Sequence, residues 1–135
     1  MVNIDIKRIK SILDAFPEIK LVYFFGSMAS ETDGLTSDYD FAVYFDLRPY
    51  LEKDREKMFE IKFNLMDQLS RALNTDKIDV VILNLTESPE FKYEVIKNGK
   101  LIYEKEPFQV LVEPKILNEY FDFRYLLKKY NLTKA

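Results

Sequence analysis

Two aspartates and a glycine–serine pair are the residues whose types and spacing could do chemistry in this chain. Gly26 and Ser27 follow an apolar run, and ten residues later the chain reads Asp38-Tyr39-Asp40. Because side chains alternate between the faces of a strand, Asp38 and Asp40 should point the same way, about 7 Å apart. Carboxylates that close repel each other, and Mg²⁺, which takes oxygen ligands, would relieve the repulsion. The pattern predicts a cation site, unless the two aspartates only cap an exposed strand end.

The Gly-Ser pair suits phosphate binding. Gly26 would let a ligand approach the backbone, and the amides that follow it, with the Ser27 hydroxyl, can hold phosphate oxygens. The alternative is an ordinary turn glycine followed by a capping serine, and either motif alone would favour the simpler interpretation. The presence of both motifs at the ends of two predicted strands favours a nucleotide site.

A third carboxylate is available on a later apolar strand. Asp79 lies in the predicted strand 77–83, where a carboxylate needs a partner or a metal. The competitor is Asp76, but Asn74-Thr75-Asp76 is typical of a turn. We therefore favour Asp79. Asp38, Asp40 and Asp79 on neighbouring strands would form a three-carboxylate cup, which suits two-metal phosphoryl or nucleotidyl transfer.

Composition removes most other catalytic classes. The 135 residues, 47% of them hydrophobic, predict one domain over residues 1–135. There is no Cys and no His, so thiolate nucleophiles, Ser-His-Asp catalysis and His-ligated metals are excluded. A net charge of −3 disfavours binding of long nucleic acids, since phosphate binding needs clustered Lys and Arg. The chain shows neither a signal peptide nor an apolar span of about 20 residues, so we expect a cytoplasmic protein.

Apolar periodicity predicts the order helix, strand, strand, helix, strand, helix, strand, helix. The first helix is predicted near residues 3–16. Strands are predicted at 21–25, 38–45 and 77–83, with a short edge strand at 100–103. The connection between residues 25 and 38 is too short for a crossover helix. We therefore predict a small mixed α+β sheet flanked by helices rather than a regular doubly wound fold.

Proline and glycine set the predicted helix ends. Pro49 suits the first turn of a long helix that reaches about Leu73, and Ser88-Pro89 opens a short helix that Gly99 stops. Pro114 is expected to precede the last helix. The long helix should bury Phe59, Phe63, Met66, Leu69 and Leu73, and the last should repeat Leu117, Phe121, Leu127 and Tyr130 at helical spacing.

The motif resembles a known family. Gly26-Ser27, ten residues, Asp38-x-Asp40 and the downstream strand residue Asp79 are similar to the polymerase-β-type nucleotidyltransferase superfamily, and the likeness covers Leu21 to about Glu104. The absence of a second domain resembles its minimal branch, the MNT proteins. Antitoxins of this kind are paired with an HEPN-domain toxin and transfer AMP from ATP onto a toxin tyrosine. The resemblance thus implies a palm-like nucleotidyltransferase fold, an HEPN toxin partner and a protein adenylyltransferase.

The resemblance also implies roles for the site residues. Gly26 and Ser27 would position the triphosphate. Asp38 and Asp40 would hold two Mg²⁺ ions, with Asp40 bridging, and Asp79 would help hold the ion that activates the incoming hydroxyl and accept its proton. The family often continues Gly-Ser-x-Ala with Arg-Gly, whereas this chain continues with Ser30-Glu31. The positive charge that neutralises the triphosphate must therefore come from elsewhere.

Two other functions fit the sequence less well. Relatives that transfer a nucleotide to a small molecule usually carry an extra helical domain for the acceptor, and 135 residues leave little room for one. A catalytically dead antitoxin that acts by occlusion would be favoured by loss of an aspartate, but all three are present. The aromatic segment Tyr120 to Tyr125 would serve either antitoxin mechanism as a contact surface, or else pack internally.

Overall fold

The computed structural model describes residues 5–25 and 39–130. In this part of the chain, four helices and four strands follow one another in the predicted order, with one 3₁₀ turn after the third strand. Their bounds are α1 Ile6–Leu13, β1 Ile19–Phe25, β2 Tyr39–Phe45, α2 Glu52–Leu73, β3 Ile78–Ile82, α3 Pro89–Asn98, β4 Lys100–Glu104 and α4 Phe108–Lys129. None of these helices is long and apolar enough to cross a membrane.

The strands form one mixed sheet in the order β3-β2-β1-β4. β1 pairs antiparallel with both of its neighbours, whereas β2 and β3 are parallel. The parallel pair is joined through α2, and the antiparallel pair β1–β2 needs no crossover helix. The predicted mixed α+β sheet and its edge strand β4 are confirmed.

Helices cover both faces of the sheet. On one face, α1 and α2 pack against Phe41, Val43 and Phe45 of β2. On the other face, α3 and α4 contribute Val95, Val112 and Ile116 to a smaller core. β1 is buried on both faces, and this explains its continuously apolar sequence.

The caps of α1 and α3 follow from local sequence. The Asp5 carboxylate accepts a hydrogen bond from the Arg8 backbone N–H at 3.1 Å, and α1 spans Ile6–Leu13, fewer residues than expected. The Ser88 hydroxyl oxygen accepts from the Phe91 N–H at 3.1 Å, Pro89 occupies the first position of α3, and Gly99 follows its last residue. The predicted start and stop of α3 are confirmed.

The start and the inner face of α2 differ from the prediction. Pro49 lies in a turn before the helix, which begins at Glu52. That turn is held by the Asp54 carboxylate, which accepts from the Arg48 backbone N–H at 2.8 Å. This hydrogen bond, rather than Pro49, holds the chain in position before the helix. It also lowers the pKa of Asp54.

The buried stripe of α2 consists of Met58, Ile61, Leu65 and Leu69. Of the residues predicted to face the core, Leu69 is buried and Met66 and Leu73 pack partly against it, whereas Phe59 and Phe63 are 42% and 62% exposed. Both sets of residues repeat at helical spacing, and periodicity alone does not say which of two apolar stripes meets the sheet.

The start and the buried face of the last helix also differ from the prediction. α4 begins at Phe108, and Pro114 lies inside it rather than before it. The carbonyl that Pro114 leaves without a helical donor belongs to Val110, a residue that is 73% exposed. The buried residues are Val112 and Ile116, while the predicted stripe residues Phe121 and Tyr130 are 56% and 59% exposed.

Candidate active site

Asp40 and Asp79 are brought side by side by the parallel pairing of β2 and β3. The two residues are register partners, which places their backbones about 4.8 Å apart. The next residue of each strand, Phe41 and Val80, lies in the core formed with α1 and α2. Side chains alternate along a strand, so both aspartates point to the opposite face. Two of the three predicted carboxylates therefore share one face of the sheet.

The surroundings of Asp79 differ from the expectation. We predicted a carboxylate in an apolar environment, but β3 is an edge strand and Asp79 is exposed, while Ile78, Val80 and Ile82 are buried on the other face. Water solvates an exposed carboxylate, so Asp79 needs no buried partner. Asp40 is half-buried. The pair is accessible to a ligand from outside.

The remaining predicted site residues lie outside the described part of the chain. Phe25, the last residue of β1, is the register partner of Asp40, and Gly26 and Ser27 follow it in the sequence. Gly26, Ser27 and Asp38 are not among the described residues. Within residues 5–25 and 39–130, no group of three His, Cys, Asp or Glu side chains could hold a metal ion. The predicted three-carboxylate cup therefore depends on Asp38.

Asp76 lies outside the strand pairing that brings Asp40 and Asp79 together. It lies between α2 and β3, after Asn74 has adopted the left-handed conformation (φ 54°) that ends the helix. The Thr75 N–H donates to the Ser70 carbonyl at 3.1 Å and closes this turn. The predicted turn at Asn74-Thr75-Asp76 is confirmed, and β3 begins at Ile78 in the register that pairs Asp79 with Asp40.

Phe25 and Gly99 support this end of the sheet, and the sequence analysis missed both roles. The half-buried Phe25 ring meets Phe91 of α3 edge to face, with the centroids 5.6 Å apart. A Cβ on Gly99 would lie 2.4 Å from the Val95 carbonyl oxygen and 3.4 Å from the Phe25 Cβ. The sequence predicts Gly99 only as a helix stop. Its backbone angles suit any residue, so the requirement is space, and no sequence pattern reveals that.

The opposite end of β2 is held by neutral polar groups. Asn84 follows β3 in the 3₁₀ turn. Its side-chain Oδ1 accepts from the Phe45 N–H at 2.9 Å, and its Nδ2 donates to the Phe45 carbonyl at 2.8 Å. The carboxamide thus makes the two backbone hydrogen bonds that a neighbouring strand would otherwise make with Phe45, the last residue of β2.

Two tyrosines on the sheet are also paired. The Tyr23 hydroxyl donates to the Glu113 carboxylate of α4 at 2.5 Å, and burial, together with this carboxylate, raises the pKa of Tyr23. The Tyr103 hydroxyl donates to Asp14 at 2.8 Å. Burial, reinforced by Asp14, raises the pKa of Tyr103 to about 12. Both tyrosines are therefore neutral hydrogen-bond donors at neutral pH, which indicates structural roles.

Comparison with known proteins identifies relatives of the chain. The family model "Polymerase beta, Nucleotidyltransferase" matches residues 7–108. Protein adenylyltransferase MntA of Aphanizomenon flos-aquae (strain 2012/KM1/D3) is 32% identical over 97 residues, which cover 70% of this chain. The match spans 63% of the length of that relative.

Solved structures share the fold. A toxin–antitoxin crystal structure with AMP-PNP superposes with a TM-score of 0.70 at 23% identity, covering 94% of this chain and 95% of the other. The complex of a tri-AMPylated Shewanella oneidensis HEPN toxin with an MNT antitoxin gives a TM-score of 0.64 at 22% identity, covering 93% and 91% of the two chains. These likenesses show that the chain shares the fold of those structures, which includes the sheet on which the two carboxylates lie. Since the family model covers both carboxylate strands and most of the chain, this protein belongs to the polymerase β nucleotidyltransferase family.

Proposed function

We propose that this protein is a Mg²⁺-dependent adenylyltransferase that moves AMP from ATP to a tyrosine hydroxyl of a cognate HEPN-domain toxin, and so acts as an antitoxin. The observation that carries the proposal is the in-register pair Asp40 and Asp79 in a chain of this family. The curated relative is a protein adenylyltransferase, and one similar structure is an MNT antitoxin with an AMPylated HEPN toxin. Since the donor is ATP, we place the reaction in the cytoplasm.

The described carboxylates suit Mg²⁺. Asp40 and Asp79 offer hard oxygen donors on adjacent strands, and Asp79 is open to solvent. With Asp38, two residues before Asp40 in the sequence, they would supply the acidic ligands of two ions. When bound, Mg²⁺ would offset the charge of the triphosphate and lower the pKa of the attacking hydroxyl.

The residues of the chain then have distinct roles. The backbone at Gly26 and Ser27 would orient the triphosphate beside the carboxylates. The tyrosine oxygen attacks the α-phosphorus, the bond from that phosphorus to the bridging oxygen breaks, and diphosphate leaves with the electron pair. Asp79, the more exposed carboxylate, accepts the tyrosine proton and later returns it to water. AMP-tyrosine and diphosphate are the products.

Two alternatives make different demands on the same site. Transfer to a small molecule would use the same carboxylates with a different acceptor. Occlusion would need no carboxylate at all, because the toxin would be neutralised by binding alone. The carboxylate pair therefore separates catalysis from occlusion, and the identity of the labelled product separates the two kinds of acceptor.

The test is a transfer assay with the HEPN-domain toxin of the same genome, Mg²⁺ and ATP labelled at the α-phosphate. We expect the label on the toxin and a gain of one or more AMP masses by intact-mass analysis. ATP labelled at the γ-phosphate should leave the toxin unlabelled. The Asp38→Ala, Asp40→Ala double variant should still bind the toxin but transfer nothing.

The outcomes distinguish the three functions. Full neutralisation of the toxin by the double variant, with no mass gain in the wild-type reaction, would establish occlusion. Label on a small molecule or an RNA end would assign a different acceptor. A toxin that gains AMP only with intact carboxylates supports the proposal.

A further inference from the structure

The strand order indicates the side from which an acceptor reaches the carboxylates. β1 ends at Phe25 and continues in the sequence to Gly26 and Ser27, where the proposed function places the triphosphate. Asp40 lies on β2, the next strand, and Asp79 on β3, at the edge of the sheet. In phosphoryl transfer the attacking and the leaving oxygen lie roughly in line, on opposite sides of the phosphorus. If diphosphate leaves on the side of β1, the acceptor hydroxyl attacks from the side of β3.

A groove with a volume of about 270 Å³ lies along the outer edge of β3. Its floor consists of four consecutive residues, from Asp79 to Ile82, and its walls are Phe59 and Lys62 of α2 and Leu85 and Thr86 after the strand. Because successive side chains point to opposite faces of a sheet, a groove that touches consecutive residues lies beside the backbone. It therefore begins at the exposed carboxylate of the proposed site and extends about 10 Å along β3.

The backbone of β3 is open toward this groove. The Tyr39 N–H of β2 donates to the Lys77 carbonyl at 2.9 Å. Alternate residues of a parallel strand bond its neighbour, so the N–H and carbonyl of Val80 point away from β2 and toward the groove. In the described part of the chain, no strand pairs with β3 on this side. At the far end, the Ile82 carbonyl accepts from the Thr86 hydroxyl at 3.0 Å. An extended segment can therefore form backbone hydrogen bonds with the strand between Asp79 and this cap.

The α2 wall of the groove offers an aromatic ring and a positive charge. Phe59 is 42% exposed, whereas the preceding residue, Met58, is fully buried in the core. Lys62 lies one turn further along the helix, and its ammonium is 5.7 Å from the centroid of the exposed Phe63 ring. Lys62 forms no ion pair with another described residue. A segment with an apolar and an acidic side chain would complement this wall.

We propose that this groove binds the toxin segment that carries the acceptor tyrosine, in an extended conformation along β3. The inference rests on the proposed function. The tyrosine hydroxyl lies beside Asp79, an apolar side chain of the same segment packs on Phe59, and an acidic side chain pairs with Lys62. The occupant is the acceptor because the groove begins at the proposed proton acceptor, on the side from which in-line attack comes.

Site-directed cross-linking locates the bound segment without requiring transfer. The chain has no Cys, so Lys62→Cys provides a single thiol for a benzophenone maleimide. After irradiation with the HEPN-domain toxin of the same genome, the label should be attached to the toxin peptide whose tyrosine gains AMP in the transfer assay. Tyr50→Cys is the control, since Tyr50 is 73% exposed and does not line the groove, and it should not label that peptide.

The cross-linking result also separates this inference from the proposed function. A cross-link from Lys62→Cys to a second copy of the chain, to a different toxin peptide or to no protein overturns the inference. If the wild type transfers no AMP, the proposed function fails, and the cross-link alone decides whether the groove binds the toxin.

Steady-state kinetics tests the contribution of Phe59. Phe59→Ala should raise the KM for the toxin at least about tenfold and change the KM for ATP less than about twofold, because it removes a contact with the acceptor alone. Tyr50→Ala should leave both values unchanged. Equal effects of the two variants overturn the inference, and a rise in the KM for ATP alone would assign the groove to the nucleotide instead. Circular dichroism of each variant shows that a loss of binding does not arise from unfolding.

Discussion

The two ends of β2 hold polar groups in opposite ways. At the last residue, Phe45, the backbone N–H and carbonyl are both bonded by the Asn84 carboxamide. At the other end, Asp40 is in register with Asp79, so two like charges share one face. The first arrangement stabilises the folded chain by itself, whereas neighbouring carboxylates repel each other, and a bound cation would relieve that repulsion. The difference supports the proposed division of the strand into a structural end and a functional end.

The same contrast extends over the sheet. The Tyr103 hydroxyl of β4 donates a hydrogen bond to Asp14, and the Tyr23 hydroxyl of β1 donates one to Glu113. Each of these polar groups has a partner from an element packed against it. Asp79, by contrast, is exposed to solvent at the edge of the sheet. Substitutions at the two kinds of position should therefore affect different measurements.

The largest expected effect is on transfer. Asp79→Asn should reduce AMP transfer at least about a hundredfold, because it removes a charge and a proton acceptor without changing side-chain shape. Asp76→Asn, three residues earlier in the turn before β3, should change the rate by less than about twofold and stability by a few tenths of a kcal/mol. Initial rates with labelled ATP provide the measurement. The reverse result would show that Asp76, and not Asp79, belongs to the site.

The next effect is on stability at the far end of β2. Asn84→Ala should lower the free energy of unfolding by about 2 kcal/mol, since two backbone groups of Phe45 lose their partner. Urea unfolding measures this loss, and the transfer rate per folded molecule should stay unchanged. If the Asn84→Ala variant were as stable as the wild type but inactive, Asn84 would have a functional role rather than a structural one.

A smaller effect is expected at alkaline pH. The pKa of Tyr103 is raised to about 12 in the folded chain, against about 10 for an unperturbed tyrosine. The stabilisation from its hydrogen bond is therefore fully present below pH 10 and is lost as the pH rises to about 12.

Tyr103→Phe tests that pH dependence. The variant should be about 1 kcal/mol less stable at pH 7 and should lose less stability than the wild type between pH 10 and 12. Thermal unfolding at a series of pH values measures both. Identical alkaline profiles for the two proteins would show that the bond to Asp14 does not stabilise the fold. Tyr23 remains in both proteins, so the comparison isolates Tyr103.

The smallest effect concerns charge repulsion at the site. In buffer free of divalent cations, Asp79→Asn should stabilise the chain by a few tenths of a kcal/mol, because Asp79 is exposed and solvent screens its repulsion from Asp40. Mg²⁺ with ATP should reverse the order by stabilising the wild type more than the variant. Equal shifts in melting temperature on adding Mg²⁺ and ATP would argue against a cation between these strands.

Much of the fold could be predicted because it rests on local interactions. Ser88 and Pro89 begin α3 through a hydrogen bond that spans three residues. The alternation of apolar segments predicted all eight elements in order. Such features need only neighbouring residues, so sequence patterns record them directly.

The predictions failed where contacts between residues far apart in the sequence decide the structure. The sequence offers two apolar stripes on α2, and only packing against the sheet selects Met58 and its partners over Phe59 and Phe63. Asp79 was expected in an apolar environment because its neighbours in the chain are apolar, but the edge position of β3 exposes it. Pro114 does not start α4. The helix continues through it, and Val110, whose carbonyl loses its helical donor, is an exposed residue.

The sequence by itself determined the candidate chemistry: carboxylates and a Gly-Ser pair, with no Cys or His to offer another route. It also determined most helix and strand positions. The tertiary structure decided that Asp40 and Asp79 are neighbours, that several apolar side chains of α4 are exposed and that Asn84 holds the far end of β2. The physical reason is that strand register and helix docking join residues far apart in the chain. Their free energies depend on which surfaces meet, and one-dimensional patterns do not contain that information.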